Sequence, residues 1–409
     1  MHVLIANNIY PPIQAGGAEL IVAYLAEGLV RRGHRVTVVS TCGPEMEPYP
    51  AEIRQGVEVI RFFPRNVYWS FSRSRQPGLR KAVWHARDAW NRDAGRRFKA
   101  VLDRGRPDVV NTHLIDGMSA AIWARARQDR VPVLHTAHDY HLLCPRAFLM
   151  TRDWAVCTTP QLACRTYRGW HLRTTRQIDT FASPSQFLLD RHAQAGLAVP
   201  RRIVLHNGIP QPDTIDAVRR ARTPDARRRF LMLARLTQEK GVQVVLDAVA
   251  RLPPGLDIEV AIAGTGPLED VVRAAAASDR RIVPLGYITG EEKQAALTRA
   301  GHLLLPSQWL ENAPVVIVEA AAYGLGIVAS RIGGIPEFVA HGHTGLLVPP
   351  GDAAALAASM VHLACDDGAL PDLSSASHAM AQRFTVDRML DGYEAEFHRL
   401  TAQPAARAA

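Results

Sequence analysis

Cysteine, long apolar runs and acidic residues in the first half are all scarce in this chain of 409 residues. The five cysteines, Cys42, Cys144, Cys157, Cys164 and Cys365, are too few and of odd number for a disulfide framework, which points to a reducing compartment. The longest apolar tract, Ala313 to Ala329, is shorter than the roughly 20 residues that span a bilayer. It carries Glu319 and is broken by Gly324 and Gly326, so it reads as a buried helix followed by a strand. The opening Met1-His2-Val3-Leu4-Ile5-Ala6-Asn7-Asn8 has neither the cationic nor the apolar segment of an export signal, and the expected location is the cytoplasm. Zinc-finger spacings, RNP signatures and basic-zipper patterns are absent, which sets nucleic acid aside as a partner. No Asp-x-Asp triplet of the kind that holds a catalytic metal occurs anywhere.

What is present is material for two cores. With 47% hydrophobic and 21% charged residues, the chain is too apolar to be disordered and long enough for two domains of about 200 residues. The net charge of +9 is unevenly spread. Residues 1–200 hold 27 Lys+Arg against 16 Asp+Glu, giving +11, whereas residues 201–409 hold 21 against 23, giving −2.

Short β-branched runs alternate with helical patterns throughout, the signature of parallel α/β sheets with crossover helices. His2–Ala6 and Arg35–Ser40 are expected strands flanking a helix from Ala18 to Arg32. The alternation restarts after residue 228, with strands expected at Phe230–Ala234, Ile258–Ala263, Arg281–Leu285, His302–Leu305, Ile327–Ser330 and Gly345–Val348. Two Rossmann-like domains follow, at 1–208 and 229–383. The segment 209–228, with Pro210, Pro212, Pro224 and the first two of Arg227-Arg228-Arg229, is the expected linker. Ligands of such sheets bind beyond the carboxyl ends of the strands, so the loops there carry the search for chemistry.

Four loops stand out. Gly16-Gly17-Ala18-Glu19 opens a helix after the first strand, where paired glycines allow close approach and free N–H groups face an anion or a sugar oxygen. It lacks the Gly-x-Gly-x-x-Gly spacing, and no acidic residue closes the second strand, which speaks against a nicotinamide cofactor. Arg235-Leu236-Thr237-Gln238-Glu239-Lys240 sets two cations beside a helix N-terminus, read either as a diphosphate site or as a basic loop paired with Glu239. In Ser307–Ala320, Pro314 fits a first helical turn, Glu311 lies just ahead of it, and Glu319 lies inside an apolar helix where it needs a hydroxyl, amide or cation partner. His138-Asp139 ends a strand in the first domain; His135 on that strand is read as core.

Glu311 and Glu319, with seven residues between them and followed by Ala320-Ala321-Ala322-Tyr323-Gly324, resemble the Glu-x7-Glu motif of retaining glycosyltransferases of family 4. Gly16-Gly17-Ala18-Glu19, His206-Asn207-Gly208, Arg235 with Lys240, and Gly264-Thr265-Gly266-Pro267 match that family's landmarks in order, over nearly the whole chain. The resemblance implies the GT-B fold, two Rossmann-like domains whose parallel sheets face each other across a cleft, with 384–409 as a helix packing back on the first. It implies that a sugar moves with retention from a nucleotide diphosphate sugar to a glycan, lipid-linked or small-molecule acceptor. Arg235 and Lys240 would hold the diphosphate and stabilise its developing charge. Glu319 would accept the ribose hydroxyls. Glu311 would bind sugar hydroxyls, and the backbone of Asn312, Ala313 and Val315 the sugar or β-phosphate. The base would lie near Gly266 and the Gly286-Tyr287-Ile288 loop, Gly16 and Gly17 would approach the donor, and His138 would stand beside the donor sugar. No cofactor and no metal are expected, the two cations replacing the ion. A sugar-nucleotide epimerase on the same scaffold is the rival reading; it would need a pair of acid/base carboxylates flanking the sugar.

Cys144, Cys157 and Cys164 near His138 and His141 invite a zinc reading, but intervals of twelve and six residues match no standard ligand pair. Between Arg61 and Lys99, eleven Lys/Arg face only Asp88 and Asp93, interleaved with eight aromatics. Leu79, Val83, Ala86, Trp90, Ala94 and Val101 recur there at helical spacing, expected as a core-facing stripe. The surplus itself is read either as a solvated face or as a contact with an anionic membrane at its inner face.

Overall fold

A computed structural model describes residues 1–409 except 14–15, 48, 73–75, 152, 213–217, 219–223, 367–368 and 403–409. Its first sheet contains β1 (His2–Ala6), β2 (Arg35–Thr41), β3 (Glu52–Arg54), β4 (Val57–Phe62), β5 (Val109–Thr112), β6 (Val133–Thr136), β7 (Thr180–Ser183) and β8 (Arg201–Val204). The spatial order is β3-β4-β2-β1-β5-β6-β7-β8, parallel except for β3, which runs antiparallel to β4. The second sheet contains β9 (Arg229–Leu233), β10 (Glu259–Ala263), β11 (Ile282–Gly286), β12 (His302–Leu305), β13 (Gly326–Ser330) and β14 (Gly345–Val348). Its order is β11-β10-β9-β12-β13-β14, all parallel. Central strands of such sheets are covered on both faces, which is why β1 reads His-Val-Leu-Ile-Ala and β12 His-Leu-Leu-Leu, buried along their whole length. Each expected strand lies within one residue of an observed one.

Two units result, and both are Rossmann-like. The first comprises Met1–Leu149, Thr158–Gly208 and Val386–Ala409; the second comprises Met150–Cys157 and Ile209–Thr385. Met150–Cys157 thus groups with the second unit, where Met150 and Val156 bridge. Of the expected linker, 213–217 and 219–223 lie outside the described residues.

One expectation holds only in part. Of the apolar stripe, Ala94 is buried, but Leu79, Val83, Ala86 and Trp90 are exposed, and the chain breaks between the helices Gly78–Ala89 and Arg92–Gly105. Trp90 leaves helical geometry and Asn91 caps the second helix through Asp93 N and Ala94 N, so the helical period is not continuous across the stripe. The first of these helices buries Trp84 and Asp88, leaving Leu79 79%, Val83 49% and Trp90 39% exposed.

Within the first unit, the helix Val386–Ala402 is held by charge as well as by Tyr393, Phe397 and Leu400. Arg32 reaches Asp387, Asp391 and Glu394. The buried Glu396 accepts from Thr180 Oγ1 at 2.6 Å, Arg399 Nη2 at 2.6 Å and Arg201 Nε at 3.1 Å. Burial pushes the Glu396 carboxyl up, but the bonds from Arg399 and Thr180 outweigh it and hold it below its ordinary range. A carboxylate lowered on folding stabilises fully above its unfolded pKa of about 4.5 and loses that contribution as pH falls through its folded value. Glu396→Ala, which strands Arg399, should therefore cost about 3 kcal/mol at neutral pH. In urea titrations, the gap from the wild type should shrink steadily below about pH 4.5.

Candidate active site

In the second unit the chain winds outward from β9 in both directions, so β9 and β12 are neighbours although they are distant in sequence. Crossovers leave the two strands toward opposite sides, and a crevice opens between the loops at their carboxyl ends. The β9 loop is a short turn, Gln238–Lys240, leading into the helix Val242–Arg251. The β12 loop runs from Pro306 to Pro314, the cap of the helix Val315–Ala322. These loops meet through Gln308 N donating to Glu239 O at 2.8 Å.

Side chains from the two loops then converge. Lys240 Nζ donates to Glu311 Oε1 at 2.7 Å and lies 4.8 Å from the centroid of the Trp309 ring. Ser307 Oγ donates to the same carboxylate oxygen at 2.7 Å, so Glu311, only 4% exposed, is held by two donors. Arg235 Nη2 donates to Glu239 Oε1 at 3.0 Å, yet the Arg235 side chain is 63% exposed. Each cation thus already faces a carboxylate, Arg235 the Glu239 of the basic-loop reading and Lys240 the Glu311 of the neighbouring loop. Both keep unused donors, because a guanidinium has five N–H groups and an ammonium three.

The other expected positions fall around this pair. Gly264 and Gly266 follow β10 with φ of +137° and +157°, and a Cβ on them would lie 1.9 Å from Ala234 O and 2.5 Å from Leu236 O. Only glycine permits that contact, which ties the two loops through Leu236 N to Thr265 O at 2.9 Å and Leu268 N to Leu236 O at 3.0 Å. Asn312 is buried, Ala313 and Val315 are half-buried, and Tyr287, beside Ile288, is 72% exposed beyond β11. Glu319 sits in the helix as expected but is less enclosed, its side chain 22% exposed. It finds the required cation in Lys293 of the helix Gly290–Arg299, at 2.7 Å from Oε1. Glu311 and Glu319 thus have separate partners.

The first unit repeats the device at β1 and β5, again neighbours at the point where strand order reverses. Gly17 opens the helix Gly17–Arg31 after β1, with Gly16 as its cap; Gln14 and Ala15 of that loop lie outside the described residues. Glu19, in the first turn, is buried, and burial raises its carboxyl. Asn8 Nδ2 donates to Asp116 Oδ1 at 2.6 Å beyond β5. Beyond β6, Asp139 is pushed up to about 7 by burial, with Asp116 and Glu19 adding to the shift. His138 Nε2 lies 2.9 Å from His113 Nδ1, and burial brings His138 down to about 4. His135 is core, against Trp123 and Phe181.

Lys293, Ser307, Trp309 and the Gly333-Gly334 turn were not legible as site residues. The last carried a visible signal, paired glycines after a strand. A Cβ on Gly333, whose φ is +61°, would lie 2.3 Å from Glu311 O, and Gly334 N donates to that oxygen at 2.7 Å. Among the described residues, no three His, Cys, Asp or Glu side chains are grouped to hold a metal ion, and all five cysteines are free thiols.

Two Rossmann-like domains, each with polar side chains gathered where its strand order reverses, define the architecture of a GT-B glycosyltransferase. Residues 15–211 match the family model described as "Glycosyltransferase Family 4", and residues 227–366 that described as "Glycosyl transferases group 1". The chain is 32% identical over 406 residues to a glycogen synthase of Mycobacterium tuberculosis, covering 95% of this chain and 91% of that protein. It is 26% identical over 363 residues to a phosphatidyl-myo-inositol mannosyltransferase of Mycobacterium leprae, covering 86% and 84%. Anabaena HepE, solved in complex with UDP, superposes with a TM-score of 0.71 at 19% identity, covering 98% of this chain and 100% of HepE. The chain belongs to the family 4, group 1 glycosyltransferases.

The packing of Gly333 against Glu311 can be measured. Gly333→Ala should lower stability by about 2 kcal/mol through backbone strain and displacement of the Glu311 loop. Gly342→Ala, at φ +77° with nothing within 4 Å of its Cβ, meets only the strain and should cost about half as much in thermal unfolding.

Proposed function

We propose that this glycosyltransferase moves a sugar, with retention, from a nucleotide diphosphate sugar held by its second domain. The observation that carries the reading is the pairing of Lys240 with Glu311 and of Arg235 with Glu239 on the loops at the β9/β12 reversal, which leaves an anionic ligand two cations with donors to spare. Arg235 and Lys240 bind the diphosphate and stabilise the charge it gains as the glycosidic bond breaks. Glu311, fixed by Ser307 and Lys240, takes sugar hydroxyls, with the backbone of Asn312, Ala313 and Val315 beside it. Glu319, anchored by Lys293, accepts the ribose hydroxyls, while Gly266, Tyr287 and Ile288 border the base. Gly16, Gly17 and His138 are the first domain's contribution. No carboxylate stands out as a nucleophile, which suits front-side substitution with the leaving phosphate taking the acceptor proton. Transfer proceeds without a divalent metal, the two cations serving in its place, and turnover should survive EDTA undiminished.

The acceptor is a glycan or lipid-linked precursor held by the first domain. Much of that domain's basic surplus is internally paired: Arg61 is buried against Glu52, and Arg97 and Lys99 meet Glu47, Asp93, Asp103 and Asp129. The exposed cations include Arg80, Lys81 and Arg87 beside Leu79, Val83 and Trp90. Trp90 meets the exposed Trp170 edge to face at 6.2 Å, and Leu162 and Arg173 of the same helix, Leu162–Thr174, are exposed as well. Apolar anchors ringed by cations suit an anionic lipid surface. Among the described residues no helix is long and apolar enough to cross a membrane.

A thermal-shift panel of UDP, GDP, ADP and dTDP sugars should show one preferred nucleotide. Removing a charge-assisted contact, Arg235→Ala or Glu319→Ala should each weaken that ligand about 10- to 100-fold; unchanged affinity in both would refute the donor site. Flotation with vesicles containing anionic lipid should recover the protein, and Leu79→Ser with Trp90→Ser should reduce recovery. Equal recovery on neutral vesicles would count against the lipid surface.

A further inference from the structure

We infer that Asn111 and His113 form a hydrogen-bonded relay that fixes the tautomer of His138, placing its proton on Nε2 and its lone pair on Nδ1. The relay lies wholly within the first unit, at the carboxyl ends of β5 and β6, and rests on the reading of His138 as a participant in transfer only for its consequence, not for its existence.

The argument starts from a carbonyl, which can only accept. Asn111 Nδ2 lies 3.2 Å from Leu134 O on the neighbouring strand, and 3.5 Å from Thr136 Oγ1. Turning the amide over would set two carbonyl oxygens against each other, so its nitrogen faces Leu134 and its oxygen faces away. That oxygen, Asn111 Oδ1, lies 2.9 Å from His113 Nε2, which must therefore carry a hydrogen. His113 is 1% exposed, and burial holds it well below its ordinary pKa, with His138 and His135 adding to the shift. A neutral ring has one N–H, so His113 Nδ1 bears a lone pair. His138 Nε2 lies 2.9 Å from that lone pair and must donate to it. The two rings are inclined by only 23° with centroids 5.1 Å apart, the spacing of rings that meet edge to edge rather than face to face. His138 is neutral as well, so its own lone pair is on Nδ1.

Tautomer decides what His138 can recognise. A group meeting Nδ1 must bring a hydrogen, which a sugar hydroxyl does and a phosphoryl oxygen does not. The relay thus commits His138 to a hydroxyl of the donor sugar or the acceptor and withholds it from the diphosphate, which falls to Arg235 and Lys240. Asn111 and His113 are positioning residues, the sheet-borne counterpart of the partner that fixes a catalytic or metal-bound histidine through its far nitrogen.

Long-range 1H–15N correlation of the imidazoles in the full-length protein tests this, the His138 signals being those missing in His138→Gln. The expected wild-type pattern at neutral pH is a protonated Nε2 and a bare Nδ1. Asn111→Leu should mix the two tautomers of His138 and lower kcat about tenfold with the donor KM within about twofold. A proton on Nδ1 in the wild type overturns the relay without recourse to any other variant, and so does a tautomer unmoved in Asn111→Leu. If the tautomers behave as expected while His138→Gln retains full turnover, the relay stands and the role of His138 in transfer falls.

Discussion

Strands β9 and β12 lie side by side, but the chain leaves them in opposite directions, so no crossover covers the gap between their ends. Everything polar in the second domain is organised around that gap. The β9 loop brings Lys240 and the β12 loop brings Glu311 and Ser307; backbone contacts at Gly264, Gly266 and Gly333 leave these loops little room to move. The first domain obeys the same constraint at β1 and β5, and the residues that collect there are Glu19, Asp116 and Asp139 with His113 and His138.

Charge is handled differently in the two domains. The second, almost neutral, sets a few cations at its strand ends that are half-neutralised in advance. Such pairing fixes the direction of Lys240 and Arg235 before a ligand arrives, which limits the ordering that binding must impose. In the first domain the surplus of cations is partly consumed by internal ion pairs, while the strand ends gather the carboxyls of Glu19, Asp116 and Asp139, all raised by burial. Net charge by half-chain located the surplus but not its use.

The alternation of strands and helices was legible because buried parallel strands tolerate little besides aliphatic residues, and β1, β12 and β14 fall on their expected ranges. The stripe at Leu79 misled in part because the first helix buries its Trp84 and Asp88 face instead, and because periodicity does not reveal a break when the residue at the break, Trp90, is itself apolar. Lys293 could not be found from sequence, since nothing local joins it to Glu319, 26 positions away. The Asn111–His113–His138 relay was hidden for the same reason: it is made by the register of adjacent strands. Loops with glycine or paired charge advertise chemistry along the chain; partners supplied from a neighbouring element do not.

The Gly333-Gly334 turn bears on how this enzyme's donor range can change. Because it presses on the backbone of Glu311 and Asn312 with no space for a methyl group, the loop that carries Glu311 cannot readily lengthen, shorten or bend. Diversification at this site is then confined to side-chain exchange on a rigid frame, at positions such as Trp309, Asn312 and Ala313. An engineer seeking a new donor would do better to vary those three side chains than to graft a loop.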